Sequence, residues 1–224
     1  MLTVDAAAAA SCAGNTGLVW NNFATGAGVG TFATGSGASL VNVVVTTTNP
    51  NSASNSGGTG SLGTSFTVIA GQIGGNTGKA WYMQMRATAA NQHLTTTFTF
   101  SKTVVGLSFT MYDIDRVNSG GLLWTDKVIV TGIKPGGAAA NATATKPAGS
   151  TVDITTGTSA TARTFVGTGD VNIDPSSSNG NGIVTFTDPV TSVTVDYIAP
   201  DAAYVTSAPF QFMGIGNLSW TSCA

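Results

Sequence analysis

The chain of 224 residues contains no glutamate, and its ten acidic residues are all aspartates. Charged residues make up 8% of the chain, where about 25% is usual, and the basic residues form no run or stripe. The chain therefore has no electrostatic footprint for nucleic acid or for an anionic membrane surface. No apolar stretch of about 18 residues is present, so no membrane span is predicted. A single histidine and two cysteines offer no zinc-binding pattern.

Threonine, valine and glycine are abundant instead, and this composition favours strands over helices. Runs rich in Val, Thr, Phe and Ile recur between clusters of Gly, Asn and Ser, with no helical pattern between them. We therefore predict an all-β fold, an antiparallel two-sheet β-sandwich of the jelly-roll type. Residues 13–224 are expected to form a single domain, preceded by an extended N-terminal arm over residues 1–12.

The two cysteines, Cys12 and Cys223, lie near opposite ends of the chain. This placement predicts a disulfide that ties the termini together, with two unpaired thiols as the alternative. A disulfide implies an oxidising compartment, so the protein is predicted to be secreted, extracellular or held at the cell surface.

A central hairpin is predicted from strands at residues 104–114 and 126–133. The alternation of the first strand places Leu107, Phe109 and Met111 on one face, which is expected to be the core face. Further strands are predicted along the rest of the chain, beginning with "LVWNNFA" at residues 18–24.

Two stretches carry a resemblance to a known type of domain. "HLTTTFTFSKTVVGLSFTMYDIDRVNSGGLLWTDKVIVTG" and the closing "VTSVTVDYIAPDAAYVTSAPFQFMGIGNLSW" resemble a β-sandwich domain of bacterial extracellular proteins, including adhesin-like, anchor-tagged and fibre-forming ones. The resemblance covers residues 93–133 and 191–220. It implies an extracellular scaffold and, because fold does not determine activity, no particular chemistry.

Three aspartates crowd into the predicted turn: Asp113, Asp115 and Asp126. On a strand, residues two apart share a face, and the hairpin would bring the third carboxylate opposite the first two. Bound Ca²⁺ would separate these charges. Alternatively, the aspartates order the turn through backbone N–H groups and pair with Arg116 or Lys127. A catalytic pair would need two carboxylates across a cleft. No enzymatic activity is predicted, and Ca²⁺ is the one candidate cofactor.

The N-terminal "MLTVDAAAAA" suggests how copies of the chain would associate. Leu2, Thr3 and Val4 would leave their own domain and add a strand to the sheet edge of a neighbour. The predicted function is a structural subunit of a cell-surface filament or adhesive fibre, with other copies of itself as partner. The alternative is a monomeric, calcium-stabilised module that binds surface glycans, with a sugar stacked on Trp124 in the predicted turn.

Overall fold

The structure is a computed structural model, and it describes residues 12–49, 66–85, 87, 89–119, 122–156, 160–169, 173–200 and 211–223. Over these residues the protein is all-β, as the composition predicts, and its helical turns are two three-residue 3-10 helices, Trp20–Asn22 and Gly37–Ser39. The strands are β1 (Cys12–Leu18), β2 (Gly30–Thr34), β3 (Val41–Thr48), β4 (Phe66–Ile69), β5 (Ala80–Met85), β6 (Gln92–Tyr112), β7 (Arg116–Ser119), β8 (Leu122–Thr125), β9 (Lys127–Ile133), β10 (Ala142–Thr145), β11 (Val152–Thr156), β12 (Ala162–Gly167), β13 (Gly182–Phe186), β14 (Val190–Ala199), β15 (Gln211–Ile215) and β16 (Leu218–Cys223). Within the described ranges, no helix is long and apolar enough to cross a membrane.

Strand β6, 21 residues long, organises the sheet. Its first half lies between β14 and β3, and its second half lies between β13 and β16, with β15 continuing at its end. Fourteen strands are thereby joined in one curled antiparallel sheet, while β7 and β8 pair separately. The pairing with β14 shifts register between Val190 and Ser192, an irregularity of the kind that bends strands. The two-sheet jelly-roll arrangement remains a prediction.

The core is formed by the inward face of the curled sheet. In β6 the alternation predicted from the sequence is confirmed, because Leu107, Phe109 and Met111 are all buried. Trp20 and Trp81 stack with ring centroids 5.6 Å apart. Large aromatic side chains bury 150–250 Å² each, on the order of several kcal/mol at about 25 cal/mol per Å², so this pair anchors the first third of the chain to the sheet.

The predicted central hairpin is wrong. Strand β9 pairs with β12 on one edge and with β14 on the other, so neither edge is left for β6. Residues 104–112 of β6 pair instead with β13, β15 and β16. The small β7–β8 hairpin occupies the connection between β6 and β9. Periodicity identified both strands and their buried faces, but it carries no information about which strand lies beside which.

The predicted strand at residues 18–24 is also wrong beyond its first residue. The chain leaves β1 at Leu18 and makes a 3-10 turn at Trp20–Asn22. The Trp20 N–H donates to Asn217 Oδ1 at 2.9 Å, and its indole Nε1–H donates to the Gly216 carbonyl at 2.8 Å. These bonds to a segment almost two hundred residues away turn the indole into the core, which local strand propensity does not predict.

The outward face of the sheet carries hydroxyl groups in place of charges. Thr131, Thr194, Thr97 and Thr46 lie directly opposite one another on β9, β14, β6 and β3. The hydroxyl groups of Thr97 and Thr194 are 3.1 Å apart and hydrogen-bonded. Cross-strand threonine pairs of this kind stabilise a sheet, so hydroxyl groups make this part of the face polar where charged side chains usually would.

Candidate functional site

The three aspartates come together in one buried cluster, although not on a continuous strand. Strand β6 ends at Tyr112, and Asp113 adopts a left-handed backbone conformation with φ of 65°. The Asp126 N–H donates to the Asp115 carbonyl at 2.8 Å, which closes the base of the β7–β8 hairpin. Asp113, Asp115 and Asp126 are 6%, 4% and 2% exposed. The predicted proximity is therefore present, and the β7–β8 hairpin rather than a β6–β9 hairpin produces it.

Protein donors occupy both carboxyl oxygens of Asp115 and both of Asp126. Asp115 accepts from Trp124 Nε1 at 2.8 Å through Oδ1 and from the Ile173 N–H at 2.9 Å through Oδ2. Asp126 accepts from the Tyr197 hydroxyl at 2.6 Å through Oδ1 and from the Asp115 N–H at 3.3 Å through Oδ2. These bonds tie β8, β14 and the segment after β12 to one turn, which favours the turn-ordering interpretation.

Strand β12 closes the cluster at Gly167. Its N–H donates to the Asp126 carbonyl at 2.9 Å. A Cβ at this position would lie 2.1 Å from the Asp115 carbonyl oxygen and 2.2 Å from the carbonyl carbon. Both atoms belong to the backbone and cannot rotate away. Glycine is therefore required here by the close approach of two chain segments.

The cluster strongly disfavours ionised carboxylates. Burial, followed by the charge of Asp115, raises the pKa of Asp113 from 3.8 to about 7. Burial raises the pKa of Asp126 well above its ordinary value, and the charge of Asp115 adds to the effect. Burial also raises the pKa of Asp115, against the hydrogen bonds from Ile173, Trp124 and Asp126. Since all three pKa values are raised, the cluster binds protons more readily than exposed aspartates do.

Two phenols border these carboxyl groups. Burial and the charge of Asp126 raise the pKa of Tyr197 well above its ordinary value. The hydroxyl of Tyr82 is buried and has no hydrogen-bond partner among the described residues. Burial and the charge of Asp113 raise its pKa as well. Both phenols stay neutral at physiological pH, and a phenol never carries the positive charge that would stabilise an ionised Asp113.

The described residues contain no group of three or more His, Cys, Asp or Glu side chains arranged to hold a metal ion. Oxygens of Asp115 and Asp126 that Ca²⁺ would require already accept hydrogen bonds from the protein. The candidate Ca²⁺ site at Asp113, Asp115 and Asp126 stays a prediction, and its test is given in the Discussion.

Trp124 lies inside the cluster and not on the surface. Its side chain is 8% exposed and packs against Val117. Its indole N–H is committed to Asp115. This burial leaves no open ring face for a sugar to stack on, so a glycan platform at Trp124 would require the β7–β8 hairpin to move.

The remaining predicted site residues lie at the ends of the chain. Cys12 and Cys223 are directly opposite each other in the antiparallel β1–β16 pair. Directly opposite residues have Cα atoms about 4.5–5.5 Å apart, within the range that a disulfide spans. Their side chains are outside the described part of the structure, so the disulfide stays a prediction. Leu2, Thr3 and Val4 also lie outside the described residues.

Sequence reasoning missed two surface features. A cleft of about 450 Å³ lies between the turn at residues 74–76, the end of β6 and the loop at residues 176–181. A groove of about 370 Å³ lies beside the first residues of β2, Gly30 and Thr31. The runs "GQIGGNTG" and "SSSNGNG" mark loops, but no sequence signal indicates that these distant loops meet.

Comparison of the chain with protein-family models, with curated proteins and with solved structures found no match. The resemblance to extracellular β-sandwich domains therefore remains a hypothesis that depends on the residues quoted for it.

Proposed function

We propose that the protein is a structural subunit of an extracellular cell-surface filament or adhesive fibre, built on a jelly-roll sandwich and assembled by strand donation between subunits. The observation that carries the proposal is an uncovered sheet edge. Strand β2 pairs with β3 only as far as Gly30 opposite Val45. Strand β3 continues to Thr48 along β6, and among the described residues no strand pairs with the outer edge of residues 46–48.

The uncovered edge borders an apolar groove. Val29 and Val44, which are 56% and 39% exposed, line it together with Gly30, Thr31 and residues 45–47. Natural sheet edges are commonly protected by lysine, proline or a bulge, and none of the lining residues supplies such protection. An added strand would gain backbone hydrogen bonds from β3 and apolar contact from the two valines.

The proposed occupant is the N-terminal segment of a second copy of the chain. Leu2 and Val4 would face the same side of an added strand and place two apolar side chains against the groove. The eight residue-to-residue steps from Val4 to Cys12 would span at most about 29 Å when extended, which allows the segment to reach a neighbouring subunit. Because the donor segment and the groove are different surfaces, the contact is heterologous, and it extends into an open chain of subunits when the rotation between neighbours does not close a ring.

Two further features support an extracellular structural role. The sequence offers no charged surface for steering a charged partner, so the apolar edge is the better candidate for association. The directly opposite backbones of Cys12 and Cys223 would let a disulfide fix the strand from which the N-terminal segment emerges. The proposal places the protein in an oxidising, extracellular environment and assigns it no catalytic activity.

The test uses variants of the groove and of the donor segment. Val44→Asp places a charge in the groove, and deletion of residues 2–10 removes the donor. Ile133→Asp is the matched control, because Ile133 is 38% exposed on the same outward face but lies on β9, away from the groove. We expect filaments by negative-stain electron microscopy for wild type and Ile133→Asp, and monomers by sedimentation velocity for the other two variants.

Mixing the two defective proteins makes the test directional. Val44→Asp retains a donor segment, and the deletion variant retains a groove, so the mixture should form a one-to-one complex that does not elongate. Filaments that persist after the deletion, or wild-type protein that stays monomeric at every concentration, would refute strand donation by residues 2–4.

A further inference from the structure

The cleft beside the aspartate cluster has walls that are polar but uncharged. Its lining residues are Gly74, Gly75, Asn76, Thr110, Tyr112, Pro147, Ser176, Ser178, Asn181 and Ile183. They supply hydroxyl and amide groups, one aromatic ring, and no carboxylate or basic side chain. A volume of about 450 Å³ lies within the range of about 300–1,000 Å³ that small-molecule sites occupy.

The walls of this cleft are locked together by hydrogen bonds. Asn181 Nδ2 donates to the Gly74 carbonyl at 2.8 Å, and the Gly75 N–H donates to the Pro175 carbonyl at 2.9 Å. Gly74 has φ of 57°, and a Cβ there would lie 2.4 Å from Asn181 Oδ1 and 2.7 Å from Tyr112 Cβ. Only glycine allows this turn to approach so closely, so the cleft is formed before any ligand arrives.

The aspartate cluster holds the far wall in place. The Ile173 N–H donates to Asp115 Oδ2, and the Ile114 N–H donates to the Gly180 carbonyl at 2.8 Å. These bonds fix both ends of the loop that carries Ser176, Ser178 and Asn181. The buried carboxyl groups thus position the wall of a site without touching what binds there.

The Asn181 side chain is part of the cleft wall itself. It is 5% exposed, and its buried Oδ1 lies beside Gly74 and has no hydrogen-bond partner among the described residues. Polar groups that a ligand can reach are supplied by the exposed residues Ser176 and Ser178. Their hydroxyl groups both donate and accept hydrogen bonds, as the hydroxyl groups of a ligand do.

The chemistry of the walls selects the class of ligand. Tyr112 is half-buried, and one side of it is supported by Gly214 and Gly216, where a Cβ would lie 3.3 Å from the ring and 2.6 Å from the hydroxyl oxygen. An aromatic ring beside hydroxyl and amide groups suits a ligand with an apolar C–H face and several hydroxyls. A phosphate or sulfate would find no basic side chain, because none lines the cleft.

Asp174, a charged residue on the loop that carries Ser176, also favours an uncharged ligand. Asp174 Oδ1 accepts from the Ser176 N–H at 2.7 Å and from its hydroxyl at 2.6 Å. Its negative charge lies on the same loop as the lining residue Ser176 and therefore disfavours acidic sugars. We propose that the cleft is a binding site for a neutral sugar, with ligand hydroxyl groups hydrogen-bonded to the exposed hydroxyl groups of Ser176 and Ser178 and the sugar ring stacked on Tyr112.

The first experiment screens the full chain on an array of neutral and acidic oligosaccharides and then titrates the tightest-binding neutral oligosaccharide by calorimetry. Ser178→Trp fills the cleft from an exposed position and therefore spares the core. Ala138→Trp, exposed in the turn after β9, is the matched control. We expect binding to be lost in Ser178→Trp and unchanged in Ala138→Trp. Wild-type protein that binds no neutral sugar, or binding that survives Ser178→Trp, would overturn the proposal.

A second pair of variants tests the stacking contact. Tyr112→Phe keeps the ring and should retain affinity within about threefold, whereas Tyr112→Ala removes the ring and should weaken binding about tenfold or more. Circular dichroism identifies a variant that fails to fold, in which case Ser178→Trp alone decides. The Val44→Asp variant should bind the same sugar as wild type, so failure of the filament proposal and failure of the sugar site are separate outcomes.

Discussion

Replacement of Asp113 by asparagine should change how the stability of the protein depends on pH. The pKa of Asp113 is about 7 in the folded protein and 3.8 ordinarily. Between these values the folded chain binds a proton that the unfolded chain has released, so stability falls as pH rises from about 4 to about 7. The two pKa values differ by about 3, and a difference of one in pKa corresponds to about 1.36 kcal/mol, so the folded protein loses about 4 kcal/mol of stability over this pH range.

This loss is large against a total unfolding free energy of about 5–15 kcal/mol. Asparagine is neutral at every pH in this range, has nearly the same shape and tolerates the left-handed backbone of Asp113. Asp113→Asn should therefore equal wild type in stability near pH 4 and exceed it by up to about 4 kcal/mol at pH 8. The raised pKa values of Asp115 and Asp126 act in the same direction and leave a residual slope in the variant.

The assay is urea unfolding from pH 4 to pH 8, followed by tryptophan fluorescence, in the presence of a chelator. Asp153→Asn, which changes an exposed aspartate on β11, is the control and should follow wild type. Asp174 and Asp188 have lowered pKa values, so their titration changes stability only at pH values below about 3.8, outside the assay range. Parallel curves for wild type and Asp113→Asn across the whole range would refute the reasoning.

The same titration, repeated with millimolar Ca²⁺ in place of the chelator, decides between the calcium and turn-ordering interpretations. Bound Ca²⁺ would favour ionised carboxylates and reverse the pH slope of the wild-type protein. If the cluster only orders the turn, Ca²⁺ at millimolar concentration should leave the unfolding midpoint unchanged at pH 8.

Two further predictions concern packing and the chain ends. Gly167→Ala should lower the unfolding free energy by about 1–3 kcal/mol or more, because its Cβ would clash with the Asp115 backbone. Gly28→Ala is the control: the nearest atom to its Cβ would be 3.8 Å away, so the unfolding free energy should change little. Equal urea midpoints for the two variants would contradict the clash. Reduction of a Cys12–Cys223 disulfide should lower stability by an amount on the order of 5 kcal/mol, since the closed loop is almost the whole chain. Unfolding curves that coincide with and without reductant, or a mass showing two free thiols, would exclude that disulfide.

The aspartate cluster shows how far local sequence reasoning reaches. Asp113, Asp115 and Asp126 are close in sequence, so a turn between strands was enough to predict that they meet. Their partners Tyr197 and Ile173 come from β14 and from the segment after β12, and no spacing rule connects them to the turn. The error over the β6–β9 hairpin has the same origin, because strand periodicity does not specify a neighbour.

The sequence by itself determined the all-β class and the faces of the strands that are buried. Strand propensity and alternation are properties of single residues and their immediate neighbours in the chain. An apolar side chain is favoured in the core whichever strand lies beside it. Only the tertiary structure decided that β6 would support two regions of one sheet, that Trp124 would be buried, and that the loops around Gly74 and Asn181 would form a cleft. These outcomes depend on contacts between residues far apart in the chain. Many strand arrangements are compatible with the same hydrophobic alternation, and backbone hydrogen bonds and close approaches, such as that of Gly167 to Asp115, select one of them.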